Sequence, residues 1–220
     1  MVEHLSEEQG VGGSRPPPST MKPTPQEESE ILKIYLNSLK LPNKKPDKKI
    51  IIAPIGLIGS GKTTILSKLS KHLPVVVMSG DVIRKTLGEQ GFDFDSVYTI
   101  AERAAIKLLG EGFSVATDSD CINEEIIKKA KERAIYHDAT LVWIHINTSE
   151  KQCITNIKER GTTIFGVEPG SMIKSYHKRK KELHSKEYPM QFTCMFSGKH
   201  DKTEEEVESC VSKIQKIVKN

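Results

Sequence analysis

The stretch Gly56-Leu57-Ile58-Gly59-Ser60-Gly61-Lys62-Thr63-Thr64 restricts the fold of this chain more than any other. It follows the apolar run Ile50 to Ile55 and precedes a helical pattern. The motif G-x-x-x-x-G-K-[ST] therefore lies between a predicted strand and a predicted helix, the context that gives it meaning. Its glycines let successive backbone N–H groups turn inward toward phosphate oxygens, and the following helix presents its positive end to the same anion. Lys62 can reach the β- and γ-phosphates, and the Thr63 hydroxyl can ligate magnesium. Gly56, Gly59, Ser60, Gly61, Lys62, Thr63 and Thr64 are the expected nucleotide-binding residues, with ATP and Mg²⁺ as the expected cofactors. A chance match in a chain of this size occurs on the order of once in a hundred sequences, before the flanking strand and helix are required.

The remaining pattern alternates. Strand signals fall at Ile50 to Ile55, Val75 to Met78, Ser114 to Thr117, Leu141 to Ile146 and Phe192 to Phe196. They are apolar and mostly β-branched, as strands buried on both faces should be. Helical patterns separate them: Lys62 to His72, Val82 to Leu87, Ser96 to Gly110, Glu124 to Tyr136, Glu150 to Arg160, and Ile173 to Lys186. A last helix spans Glu204 to Val218, with acids in its first turn and lysines toward its end, matching the helix dipole. Such alternation predicts an α/β fold: a five-stranded parallel sheet with helices on both faces, a P-loop NTPase three-layer sandwich. Trp143 sits mid-strand and is expected in the core.

Residues 1 to about 26 are rich in Gly, Ser, Pro, Glu and Thr, and cannot bury enough surface to offset their ordering entropy. A disordered tail is expected there. Residues 27–49 read as a helix, with Ile31, Leu32, Tyr35, Leu36 and Leu39 on one face, and a lysine-rich linker. Residues 50–220 then form the catalytic-type domain, with a lid at about 160–187. No apolar run approaches bilayer length and no signal-peptide pattern opens the chain, so a cytoplasmic protein without membrane attachment is expected. Cys121, Cys153, Cys194 and Cys210 are scattered, without metal-ligand spacing, and reduced thiols are expected rather than disulfides or zinc. The formal charge of +4 permits a phosphate-rich partner without requiring one. Oligomeric state is not legible.

A triphosphate-binding loop serves a switch, a motor or a kinase. A kinase needs a second site for an acceptor hydroxyl and a mobile cover that excludes water. Both are visible. Val75 to Met78 runs into Ser79-Gly80-Asp81-Val82-Ile83-Arg84 at the sheet edge where ligands gather. Asp81 can accept a proton from an attacking hydroxyl, and Arg84, three residues on, can clamp an anionic acceptor. Asp81 is also a favoured helix cap, and both roles are expected together. Asp118 ends the third strand and could hold a magnesium-bound water, with Asp120 competing to cap the next helix. Arg160 stands at the hinge of a Gly/Pro-bearing excursion (Gly161, Gly166, Pro169, Gly170) and can offset charge on the transferred phosphoryl group. Arg179, in the basic helix beyond, is second to it. Phe92 and Phe94 are expected as satellite core beneath a loop, although they could stack an acceptor base.

With these residues in place, the chain resembles the P-loop kinases of the polynucleotide 5′-kinase, zeta-toxin and antibiotic-phosphotransferase group, with an AAA-type ATPase-like core. The likeness covers about residues 50 to 200 and is strongest to the kinase half of phage polynucleotide kinases. It implies that Asp81 is the base, that Arg84 binds the acceptor's phosphate, and that Asp118-Ser119 answers the strand-end Asp of that group. It also implies that Arg160-Gly161-Thr162 and Met172 to Arg179 form the lid, and that Ser197 to Asp201 faces the base. Asn156 stands where the phage enzymes carry a second lid arginine. The expected set is then catalytic Asp81, Lys62 and Arg160; nucleotide-side Arg160 together with the phosphate loop; acceptor-side Asp81, Arg84 and Asp118; and metal-side Thr63 and Asp118. The expected activity is γ-phosphate transfer to an acceptor hydroxyl, first a nucleic-acid or nucleotide 5′-hydroxyl. A UDP-sugar or antibiotic acceptor and a non-catalytic ATP-binding regulator are the alternatives.

Overall fold

The computed structural model describes residues 21–118, 124–163, 166–184, 188 and 190–219. Most of the N-terminal tail lies outside them, as do Ser119, Asp120 and Cys121 and the last residues of the proposed lid.

The first helix, α1 (Pro25–Ser38), starts where local chemistry dictates. Thr24 and Glu27 form a reciprocal capping box, and Pro25 takes the first helical position, where its missing N–H costs nothing. Ile31 and Tyr35, one turn apart, are fully buried.

Five strands follow: β1 (Lys49–Ile55), β2 (Val75–Ser79), β3 (Ser114–Asp118), β4 (Ala139–Ile146) and β5 (Cys194–Phe196). They form one parallel sheet in the order β2-β3-β1-β4-β5. The longest pairing sets Lys49 opposite Ala139 through to Ile55 opposite His145. The intervening helices are α2 (Lys62–Leu69), α3 (Gly80–Glu89), α4 (Val97–Gly110), α5 (Glu124–Tyr136), α6 (Glu150–Arg160), α7 (Pro169–His184) and α8 (Thr203–Lys219).

Strand periodicity divides the core. Ile51, Val76, Met78 and Val115 face a cluster shared with α1, α3 and α4. Their neighbours Ile50, Ile52, Val75 and Ala116 face the opposite cluster, with Leu66 of α2 and Val207 and Ile214 of α8. This two-sided burial is why the strands read as unbroken apolar runs. Trp143 lies in a third cluster with Ala53, Ile55 and α5. Phe92 is buried in the α1–α3–α4 cluster and Phe94 packs against it, which places them as core beneath a loop.

Two expectations change. The last strand is shorter than its apolar pattern, because Phe192 leaves the ladder to stack on His145 with ring centroids 4.9 Å apart. The second change concerns the thiols: Cys194 of β5 and Cys210 of α8 are disulfide-bonded, with Cα atoms 5.5 Å apart. Sixteen residues separate them in sequence, and only the packing of α8 against β5 brings them together. Cys153 is a free, buried thiol. Among the described residues, no helix is long and apolar enough to cross a membrane.

Candidate active site

β1 delivers the chain to the carboxyl edge of the sheet, where the phosphate loop turns. Gly59 has φ +78° and Gly61 φ +93°, both in the left-handed region that favours glycine. At Gly59 the need is also steric: an added Cβ would lie 2.5 Å from the Cys153 carbonyl oxygen. Gly61 is the N-cap of α2, no side chain among the described residues caps that helix, and its positive end faces the loop where an anion would bind. Lys62 Nζ donates to the carbonyls of Gly56 at 3.0 Å and Leu57 at 3.1 Å, folding its charge over the loop. Ser60 is buried, with Gly56 closing over its hydroxyl.

Asp118 ends β3, and Thr63 opens α2 beside it. The Thr63 hydroxyl donates to Asp118 Oδ2 at 2.6 Å. A hydroxyl and a carboxylate at a phosphate loop are the hard oxygen donors that magnesium takes, in the small number it accepts from protein. The residues fit that ion.

Ser79 lies opposite Asp118 in the β2–β3 register, so the start of α3 is placed next to the same edge. The cap here differs from the sequence expectation. Ser79 is the N-cap, its hydroxyl accepting from the Asp81 N–H at 3.3 Å, and Asp81 lies within the helix. Helix geometry explains the shift: with Gly80 already helical, the cap must precede it. Asp81 is thereby relieved of capping. Its Oδ1 accepts from Arg84 Nη1 at 2.9 Å, and Asp81 remains 62% exposed against 28% for Arg84. The Arg84 side chain runs back toward the helix start, where Nη1 would lie 3.2 Å from a Cβ on Gly80.

α6 forms the other wall. Asn156 Nδ2 donates to the Gly59 carbonyl at 2.7 Å, and Gln152 Nε2 holds Asn156 Oδ1 at 2.8 Å. Sequence reading set Asn156 aside as a missing arginine, whereas it is a brace of the phosphate loop. Arg160 is exposed, one turn beyond Asn156 on the same side of α6. Met172 and Tyr176 of α7 join Cys153 and Ile157 of α6 in one apolar cluster, with Leu57 and Ile58 of the loop packed against it. The proposed lid and the phosphate loop thus share packing. Glu150 of α6 ties to Lys180 and, at 3.6 Å, to His177 of α7. Arg179 is half-buried on α7. Burial pushes the Cys153 thiol up to about 11, against an ordinary 9.0, so it stays protonated.

Thr148 was also missed. Its hydroxyl donates to the Ser60 carbonyl at 2.7 Å and occupies the space a Cβ on Gly198 would need. It joins the phosphate loop to the segment after β5, where Glu206 accepts from the Ser197 N–H at 3.0 Å. No local pattern marks such a threonine; only the β4 end position hinted at it.

Residues 51–168, more than half of the chain, match the family model AAA_33, described as an AAA domain. No curated protein sequence matches the chain significantly. Among solved structures, a Chloroflexus aurantiacus protein carrying a provisional kinase assignment is similar at TM-score 0.58 and 14% identity, over 77% of this chain and 98% of that one. A structure of the PezAT chromosomal toxin-antitoxin system of Streptococcus pneumoniae reaches 0.55 at 17% identity, over 90% of this chain and 98% of that one. A sugar kinase from Janibacter reaches 0.50 at 13% identity, over 77% and 95%. These likenesses show a common fold.

Proposed function

The chain belongs to the AAA_33 family, and on that footing we propose that it is a kinase moving the γ-phosphate of ATP onto an acceptor hydroxyl. The observation that carries this reading is the Thr63–Asp118 hydrogen bond beside the Asp81–Arg84 pair, on neighbouring strand ends in register. A loop for a triphosphate alone would need only the first. The second supplies a proton acceptor and a cation where an acceptor would lie.

In this reading the loop N–H groups and Lys62 bind the phosphates, Lys62 leaving its carbonyl partners for phosphate oxygens. Thr63 and Asp118 would hold magnesium, which supplies charge neutralisation when bound. Asp81 turns from Arg84 to the acceptor hydroxyl and takes its proton as the oxygen attacks γ-phosphorus. The bond from γ-phosphorus to the bridging oxygen breaks, and ADP leaves. Arg84, released from Asp81, binds an anionic group on the acceptor. Arg160 is the lid cation that offsets charge on the transferred group.

An acceptor already bearing phosphate follows from Arg84. The 5′-hydroxyl of a nucleic acid or nucleotide is the first such acceptor, in line with the resemblance of the Asp81-to-Arg84 run. A small sugar-bearing acceptor is the second reading, supported by the likeness to a sugar kinase. The test is transfer of labelled γ-phosphate to a 5′-hydroxyl oligonucleotide, a 3′-nucleotide, UDP-sugars and hydroxylated antibiotics. Label on the first two supports the 5′-kinase. Label only on a sugar or antibiotic keeps the kinase and discards the nucleic-acid acceptor. ATP binding without label on any of them points to the regulator.

A further inference from the structure

Tyr35 belongs to α1, outside the stretch that matches the family model. It is fully buried in the apolar cluster that includes Met78 of β2 and Ile83 of α3. Packing accounts for the ring but not for the hydroxyl. That O–H is buried without a well-formed hydrogen bond among the described residues. Its oxygen lies against the Ser79 backbone and feels the Asp118 charge. A buried hydroxyl without a well-formed hydrogen bond carries a desolvation cost that a phenylalanine of the same shape would avoid.

The place of this hydroxyl gives it a use. β2 is an edge strand, so among the described residues its outer backbone groups have no strand partner. Ser79 is both the last residue of β2 and the cap of the helix that carries Asp81 and Arg84. α1 is also fastened in place. Glu28 accepts from Ser96 and pairs with Arg103, Arg103 Nη2 donates to Ser29 at 3.1 Å, and the Asp93 N–H donates to the Met21 carbonyl at 3.1 Å.

We propose that Tyr35 is a positioning residue for phosphoryl transfer, its hydroxyl holding the Ser79–Gly80 junction when Asp81 turns from Arg84 to the acceptor. The hydroxyl already lies against the Ser79 backbone at rest and keeps that contact through the turn. The inference rests on Asp81 as the proton acceptor. It makes α1 part of the acceptor side of the site.

The test is Tyr35→Phe in the full chain, with four readouts: thermal stability, affinity for a fluorescent ATP analogue with Mg²⁺, amide exchange, and turnover on whichever acceptor the parent phosphorylates. Global stability should change little, because the hydroxyl makes no well-formed hydrogen bond among the described residues, and ATP affinity should not change. Exchange at residues 79–84 should rise by about 10-fold while the phosphate loop is unaffected. Turnover should fall by about 10-fold or more, with little change in acceptor KM. Unchanged exchange at 79–84 overturns the inference, as does a general loosening of α1 and α4 with lowered stability. If the parent phosphorylates nothing, the kinase reading falls, and exchange at 79–84 still decides whether Tyr35 holds the junction.

Discussion

Thr63 and Asp118 lie 55 residues apart in sequence and 2.6 Å apart in the structure, hydroxyl to carboxylate. That bond joins the helix after the phosphate loop to the end of a different strand. If it marks the magnesium site, Thr63→Ala and Asp118→Asn should each lower phosphoryl transfer by about 100-fold or more and raise the Mg²⁺ concentration needed for half-maximal rate. Circular dichroism should show both variants folded. An Asp118→Asn enzyme with the parent's magnesium requirement would remove Asp118 from that site.

Gly59 combines a positive φ with a carbonyl oxygen 2.5 Å from where a Cβ would stand. Gly59→Ala should destabilise the protein by about 1–3 kcal/mol from backbone strain alone. ATP binding should weaken further, since the loop must shift away from α6. Denaturant melts and titration with a fluorescent ATP analogue measure the two effects separately. A variant with parental stability would mean the loop relaxes freely.

His145 lies between Tyr188 and Phe192, and burial lowers its affinity for a proton below the ordinary 6.5. The fold therefore keeps the imidazole neutral where an unfolded chain would begin to take up a proton. Its contribution is present above that ordinary value and is lost as pH falls through the folded value. Between about pH 7.5 and pH 5, His145→Phe should lose less stability than the parent. Urea melts across that range test the slope, and equal slopes would contradict it.

The Cys194–Cys210 pair ties β5 to α8. Reduction should lower stability by about 3 kcal/mol, the value expected for a loop of this length. Peptide masses from a digest without reductant should contain the crosslinked pair. Separate peptides would mean that the two thiols are neighbours and not bonded.

Much of this architecture was written in the residues. Strong periodicity placed every strand and helix, because strands buried on both faces and helices with one apolar face leave different patterns. The positions of the phosphate loop, Asp81, Arg84 and Asp118 at the sheet edge were legible because each lies at or just after the end of a strand. What was not legible depends on distance in space. Ser79, two residues earlier, takes the cap in place of Asp81. Asn156 and Thr148 brace loop carbonyls that no local pattern names, and the half-cystines meet only through the packing of α8. Tyr35 read as one more apolar-face residue until its hydroxyl was seen at the end of β2.

The central claim is that Asp81 accepts the proton of the acceptor. Its most direct measurement is single-turnover transfer of labelled γ-phosphate by Asp81→Asn, alongside its affinity for ATP with Mg²⁺. The account predicts parental ATP affinity and a transfer rate lowered by about 100-fold or more, since general base catalysis supplies roughly that much. Transfer at the parental rate with ATP bound normally would contradict it.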